Sequence, residues 1–151
     1  MSVTPWSDKI AIQSILTVDP YIKDYLKFSP NSIYTVKATD ELLGLNEKDF
    51  APKNQIFIYN ATSEQTINPI IHGIVYEVDV STPWHKQGTA DLAIEQIMAL
   101  LDGREISKTH QLELLDLPVV LASETSLYQV GVRFVCYVSK VTHPKHFRYT
   151  P

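Results

Sequence analysis

The chain has 151 residues, of which 44% are hydrophobic, a formal net charge of −4 and a single cysteine, Cys136. These values favour one folded domain with a sizeable core, and they exclude a disordered chain, an intramolecular disulfide and a metal cage built from cysteines. No apolar run approaches the ~18 residues of a membrane span, and the N-terminus lacks a signal peptide, so we expect a soluble protein made in a cytoplasm.

Two helices are predicted before the first strand. Pro5 is expected to begin the first helix, because a proline at the first helical position gives up no hydrogen bond. Asp19 is expected to cap a second, shorter helix. Residues 39–53 are polar with isolated apolar anchors, which indicates a loop with one helical turn. The apolar stripe of the first helix is approximate and consists of Ile10, Ile12, Ile15 and Leu16.

Three strands are predicted in the first half of the chain. Residues 33–36 form a short one, and residues 55–60 form the second, followed by a turn over residues 61–66. In the third, apolar and polar residues alternate, which predicts one buried and one solvated face. If this strand begins as early as Ile70, Gly73 lies at a bulge or a bend. The buried set is Ile74, Tyr76, Val78 and Val80, and the other set is Val75, Glu77, Asp79 and Ser81.

A capped helix and a hairpin complete the domain. Thr89 is placed as the helix N-cap, and Gly103 as its left-handed stop. Residues 112–117 are apolar and are interrupted by Pro118, after which residues 118–123 and 127–141 form a closing hairpin. The order predicts an α/β (α+β) fold with one mixed sheet of about five strands and helices on one face. We expect one domain over residues 1–141 and a basic, aromatic arm over residues 142–151.

The candidates for chemistry are weak. Glu77 and Asp79 share one strand face at a spacing that acid–base catalysis could use, but no nucleophile or base accompanies them, so a solvated strand face is preferred. Cys136 aligns with core residues, and His143 with His146 lacks further metal ligands. His72, His85 and His110 are expected at the surface or at an interface. Phosphate-binding glycine loops are absent, so we predict no catalytic, cofactor-binding or metal-binding residues and no enzyme.

Two segments have the composition of partner-binding surfaces. One is the loop after the third strand, where an aromatic residue lies among polar ones, although Trp84 folding back over the helix is an open alternative. The other is the arm, which carries charge and aromatic rings without a core of its own, and a solvated tail is its alternative. The candidate interface residues are Pro83, Trp84, His85 and Lys86 in the loop and Lys145, Phe147, Arg148 and Tyr149 in the arm.

The order of short motifs resembles the tail terminator proteins of siphophages, also called tail completion or tail-to-head joining proteins. The resemblance extends over residues 10–141. Its pieces are Ile33-Tyr34, Gln55-Ile56-Phe57-Ile58-Tyr59, Val78-Asp79-Val80, a helix from Thr89-Ala90-Asp91 to Leu101-Asp102-Gly103, and the strand at residues 127–141.

The resemblance implies a non-enzymatic virion protein, assembled in the host cytoplasm and located at the head-proximal end of the tail. It implies a hexameric ring that caps the tail tube protein, stops tube growth and meets the head connector or stopper, while DNA passes through the lumen without specific contact. Glu77 and Asp79 are then candidate lumen-facing acidic residues. The alternatives are a head-completion or stopper protein and, from another class, a small cytoplasmic ligand-binding or enzymatic domain.

Overall fold

One five-stranded mixed sheet organises the protein. The computed structural model describes residues 5–45, 52–65, 71–107, 110–123 and 126–139. The strand order is β1-β2-β3-β5-β4, in which β1 and β2 are parallel and every other pair is antiparallel. The predicted fold class is confirmed, including the closing hairpin of β4 and β5. The strands are β1 (Ile33–Tyr34), β2 (Gln55–Gln65), β3 (Ile71–Pro83), β4 (Leu112–Ser123) and β5 (Leu127–Ser139).

The two longest helices pack on one face of this sheet. They are α1 (Pro5–Val18) and α3 (Gln87–Leu101), together with a π-helical turn over Tyr21–Tyr25. Burying each large apolar side chain contributes about 1.5–3 kcal/mol, so this face supplies most of the drive to fold. The largest fully buried side chains of the resulting core include Ile12, Ile22, Tyr76, Ile97 and Phe134.

Side-chain caps set several helix boundaries. The carboxylate of Asp19 accepts a hydrogen bond from the Ile22 N–H at 3.1 Å, which confirms its predicted role. Thr39 caps α2 (Asp40–Leu43), the single helical turn expected within residues 39–53. Gly103, with φ of 78°, follows α3 as the predicted stop. The placement of Thr89 as N-cap is wrong, because a 3₁₀ turn over Trp84–Lys86 runs directly into α3 and leaves Thr89 within its first turn.

Three strand predictions are corrected. β2 continues to Gln65 through the predicted turn, and its register shifts between Asn60 and Ser63. The irregularity therefore lies on β2 and not at Gly73, across which β3 and β5 pair without interruption. The solvated face of β3 is also wrong, because Val75 and Ser81 are as fully buried as Tyr76 on the other face.

Pro118 lies inside β4 and does not interrupt it. β4 forms an edge of the sheet, so a residue without an N–H can point its missing donor outward at no cost to the ladder. The pairing with β5 is irregular around this residue, with register shifts between Leu114 and Asp116 and between Asp116 and Val119. The predicted arm, residues 142–151, lies outside the described residues, and the boundary after residue 141 stays a prediction.

Candidate functional site

The sheet face that points away from α1 and α3 carries an acidic cluster. The register of three neighbouring strands places Tyr59 of β2 opposite Glu77, and Gly131 of β5 opposite Asp79. The Tyr59 hydroxyl lies 2.7 Å from Glu77 Oε2 and 2.9 Å from Asp79 Oδ2. Sequence reasoning found the two carboxylates but missed Tyr59, because cross-strand neighbours depend on register and register is a tertiary property.

The Tyr59 hydroxyl and the two carboxyl groups form a stable contact only when hydrogen atoms lie between their oxygens. A phenol donates one hydrogen, and two ionised carboxylates only accept, so a second proton must reside on the carboxyl pair. Burial, followed by the adjacent Glu77, raises the pKa of Asp79 to about 8, while Tyr59 and the ammonium of Lys37 act in the opposite direction. Burial and the two carboxylates also raise the pKa of Tyr59. At neutral pH the pair therefore carries about one negative charge.

Asp79 is the most buried member of the cluster. Its side chain is only 4% exposed, and its Oδ1 atom receives no hydrogen bond from any described residue. Gly131 makes this burial possible, since a Cβ at that position would clash with Asp79 Oδ1 and lie 2.9 Å from Leu121 Cδ1. The expectation of a solvated strand face is therefore wrong for Asp79. Glu77 is half-buried.

A groove of about 410 Å³ crosses the open sheet face above the cluster. Its floor includes Tyr59, Glu77, Asp79 and Gln129. One wall is the connection from Lys37 to Leu45, which includes α2, and the opposite wall is formed by Leu121 and Ala122 of β4. The groove therefore combines an acidic floor with largely apolar walls.

Beside this groove, Arg133 does not neutralise the cluster. Although it lies opposite Glu77 in the ladder, its guanidinium forms an ion pair with Asp116 of β4 at 2.6 Å. Both of these side chains are more than two-fifths exposed, so the pair contributes little to stability. Lys37, whose Nζ lies 5.7 Å from the centre of the Tyr59 ring, is the cation that the described lining residues place at the floor.

The β4 edge exposes consecutive apolar side chains. Leu117 is 77% exposed, and Val119, Val120 and Leu121 are each about half exposed. The outer backbone edge of β4 pairs with no other described strand. Large apolar patches on a sheet edge are a liability unless a partner covers them. In the sequence, the feature that indicates an edge strand is Pro118 within an otherwise apolar strand.

The four loop residues predicted as an interface lie together at the end of β3. Pro83 ends the strand, and the turn that follows is held by a hydrogen bond from the Trp84 N–H to the Ser126 carbonyl at 3.2 Å. Trp84 is 39% exposed, and His85 and Lys86 are exposed. The turn lies four residues along β3 from Asp79, about 13 Å away, so it is a second surface. Its interface role stays a prediction. Lys145, Phe147, Arg148 and Tyr149 lie outside the described residues.

A buried polar network lies on the opposite face of the sheet. His110 Nδ1 lies 2.9 Å from Asp8 Oδ2, and the Tyr76 hydroxyl donates to the same carboxylate oxygen. The expected surface position of His110 is wrong, because only 3% of it is exposed. The sequence feature that indicates this network is the position of Asp8, four residues before Ile12 and eight before Leu16, which places it on the buried stripe of α1. The network ties α1 to β3 and to residues 104–111.

Three further predictions concern Cys136, metal binding and membrane-spanning helices. Cys136 is fully buried, and burial raises the pKa of its thiol to about 12, which confirms it as a core residue of low reactivity. Within the described ranges, no three His, Cys, Asp or Glu residues are arranged to hold a metal ion. None of the described helices has the length and apolar character needed to cross a membrane.

Comparison with known proteins adds a structural relative. No protein-family model and no curated protein sequence matches the chain. The chain is similar in structure to a chain of the virion of a native gene transfer agent (GTA) particle, with a TM-score of 0.62. The two share 14% sequence identity, and the similarity covers 87% of this chain and 93% of that chain. At this identity the similarity shows a shared fold over nearly the full length of both chains.

Proposed function

We propose that the protein is a structural component of a phage or phage-like virion and that it acts there as a tail terminator. Its subunits form a hexameric ring that caps the head-proximal end of the tail tube, stops tube growth and joins the tail to the head connector. The observation that carries the proposal is the fold shared with a virion chain over nearly the whole length of both. The motif order across residues 10–141, which resembles that of tail terminators, supports the narrower assignment to the terminator.

The surfaces of the subunit suit a ring. Among the described strands, β4 has no neighbour on its outer edge and exposes apolar side chains there, and the opposite edge of the sheet is the two-residue strand β1. A contact between two different surfaces of identical subunits closes into a ring when the rotation between them is a whole fraction of a turn. Neighbours in such a ring cover edges that would otherwise promote aggregation.

The remaining features fit a structural role without catalysis. No serine, threonine, cysteine or histidine is among the described residues that line the groove and the acidic cluster, and no three described His, Cys, Asp or Glu residues form a metal-ligand set. A net charge of −4 is suited to a ring through which DNA passes without specific binding, because affinity for DNA comes mainly from cationic contacts to phosphate. The partners of this ring are other copies of the chain, the tube protein and the connector or stopper.

Inactivating this chain in a cell that produces the particle tests the proposal. A terminator is required to stop tube growth, so we expect tubes longer than normal and heads without tails in electron micrographs. Tails of normal length that do not join filled heads would instead identify a head-completion or stopper protein. Particles with normal tails and full infectivity would contradict a role in assembly altogether.

A further inference from the structure

The groove on the open face is incomplete in the isolated subunit. Its floor holds a carboxyl pair with a buried oxygen, Asp79 Oδ1, that receives no hydrogen bond from the described residues. A second ionised carboxylate beside Glu77 is costly at this burial, so a cationic donor delivered from outside is favoured. Because Arg133 is already paired with Asp116, the subunit does not supply that donor from β5.

We propose that this groove binds the C-terminal arm, residues 142–151, of a neighbouring copy of the chain. Lys145 and Arg148 approach the carboxylates of Glu77 and Asp79, and the ring of Phe147 or Tyr149 packs between the apolar walls. The inference deepens the proposed function and rests on it, because it assigns the ring contact to a particular pair of surfaces.

Charge complementarity supports this occupant. From Lys140 to the end of the chain there are three lysines and arginines and no acidic residue. The groove has the opposite composition, with Asp40, Glu77 and Asp79 and with Lys37 as the one lysine or arginine among its lining residues. Leu43, Leu45 and Leu121 provide walls against which an aromatic ring can pack.

The reach of the chain favours a neighbour's arm over the subunit's own. β5 runs away from the groove, and Ser139 lies eight residues beyond Gly131, a distance of about 27 Å along the strand. Nine fully extended residues from Ser139 to Arg148 span at most about 32 Å, and reversing the chain direction consumes part of that length.

This occupant is preferred to a DNA-filled lumen as the environment of Glu77 and Asp79. A buried pair that carries one negative charge in place of two repels passing DNA weakly, whereas a cation brought into contact with it displaces the remaining proton. Arm binding is therefore expected to release a proton and to strengthen as the pH rises from 7 to 9, through the pKa of Asp79 of about 8.

Other titratable groups of the described residues lie around the pair. They are Tyr59 on β2, Lys37 and Asp40 beside α2, Asp116 on β4 and Arg133 on β5. Burial and the two carboxylates raise the pKa of Tyr59 away from this pH range.

Disulfide trapping in the full chain tests the inference. One chain carries Leu45→Cys in the groove wall, and a second chain with a different mass tag carries Tyr149→Cys in the arm. Native Cys136 stays in place, since it is fully buried and its thiol is poorly reactive. We expect a disulfide between the two tagged chains after mild oxidation. The matched control pairs Tyr149→Cys with Val18→Cys, an exposed residue at the end of α1, and should give at least tenfold less product.

The outcomes separate this inference from the proposed function. A disulfide that forms only within one chain, in the Leu45→Cys, Tyr149→Cys double variant, would overturn the neighbour assignment. The absence of any product from a chain that still forms six-fold rings would overturn the arm inference alone. A strictly monomeric chain would overturn both.

Charge reversal supplies a second measurement. The Lys145→Glu, Arg148→Glu variant is expected to lower the association constant roughly tenfold at pH 8, because each screened charge pair contributes a factor of about three. Its association should also lose the increase between pH 7 and pH 9. An unchanged association constant, or an unchanged dependence on pH, would contradict the placement of these cations at Glu77 and Asp79.

Discussion

The two faces of the sheet bury side chains for different purposes. The face under α1 and α3 is apolar, and the contacts among its main polar groups, Asp8, Tyr76 and His110, are made inside the subunit. The open face is also largely buried at its centre, but there it holds a carboxyl pair, an oxygen without a donor and a groove that leads to an exposed apolar edge. The first face explains how the chain folds. The second is costly for an isolated subunit, and an assembly that covers it removes that cost.

Phe134→Ala should have the largest effect on stability, because it opens a cavity in the helix-packed face. A fully buried phenylalanine truncated to alanine costs about 3–5 kcal/mol in the free energy of unfolding, which urea denaturation measures. The control is Tyr137→Ala on the other face of the same strand, where the side chain is largely exposed and a loss below ~1 kcal/mol is expected. Equal losses would contradict the difference between the faces.

Asp8→Ala should be nearly as damaging, because it leaves His110 and the Tyr76 hydroxyl buried without their shared acceptor. The expected loss is about 3 kcal/mol in the same denaturation experiment. Asp24→Ala, at an exposed position on the π-helical turn, is the matched control and should change stability by less than ~0.5 kcal/mol. If the two variants unfold alike, the buried network does not stabilise the fold.

Asp79→Asn should stabilise the isolated subunit, whereas Phe134→Ala and Asp8→Ala destabilise it. The ordinary pKa of an aspartate in an unfolded chain is about 3.9, and the folded value is about 8, so folding takes up a proton between these pH values. Stability from this group is therefore fully present below about pH 4 and declines as the pH rises to about 8. Because asparagine does not titrate, the Asp79→Asn variant should not show this loss of stability with rising pH.

The gain from Asp79→Asn is expected to reach at least about 2 kcal/mol at pH 8 and to vanish at pH 4, because one pKa unit corresponds to about 1.4 kcal/mol. Denaturation at pH 4, 6 and 8, at a protein concentration that keeps subunits apart, measures it. Asp116→Asn removes a carboxylate from the exposed ion pair with Arg133 and serves as the control, with less than ~1 kcal/mol at any of these pH values. Parallel pH profiles for wild type and Asp79→Asn would show that the folded subunit does not protonate Asp79.

Leu117→Ser should have the smallest effect on folding and a distinct effect on assembly. The side chain is mostly exposed on the β4 edge, so its replacement should change the free energy of unfolding by less than ~0.5 kcal/mol. If the edge is covered by a neighbour, the oligomer should dissociate at a higher protein concentration than wild type in sedimentation. Leu92→Ser, at an exposed position on α3, is the control for loss of an exposed leucine. Identical dissociation of the two variants would show that β4 is not an interface.

Sequence periodicity predicted the helix-packed face well and the open face poorly, for a physical reason. The apolar alternation of β3 and β5 and the caps at Asp19 and Gly103 are local, and each has a direct structural counterpart. The burial of Asp79 depends on Gly131, on the wall of the groove that follows β1 and on the register of three strands, which no local pattern encodes. Asp8 lies between these cases. Its position on the buried face of α1 can be predicted from residue spacing, but its partner His110 is more than a hundred residues away in the sequence.

The mass of the full chain in solution at micromolar concentration tests the central claim most directly. The proposed terminator role predicts a six-fold species, measured by native mass spectrometry or light scattering. A particle of six copies that binds one end of a tail tube is the expected result. A strict monomer that binds a small ligand in the groove would contradict the account and would favour a ligand-binding domain.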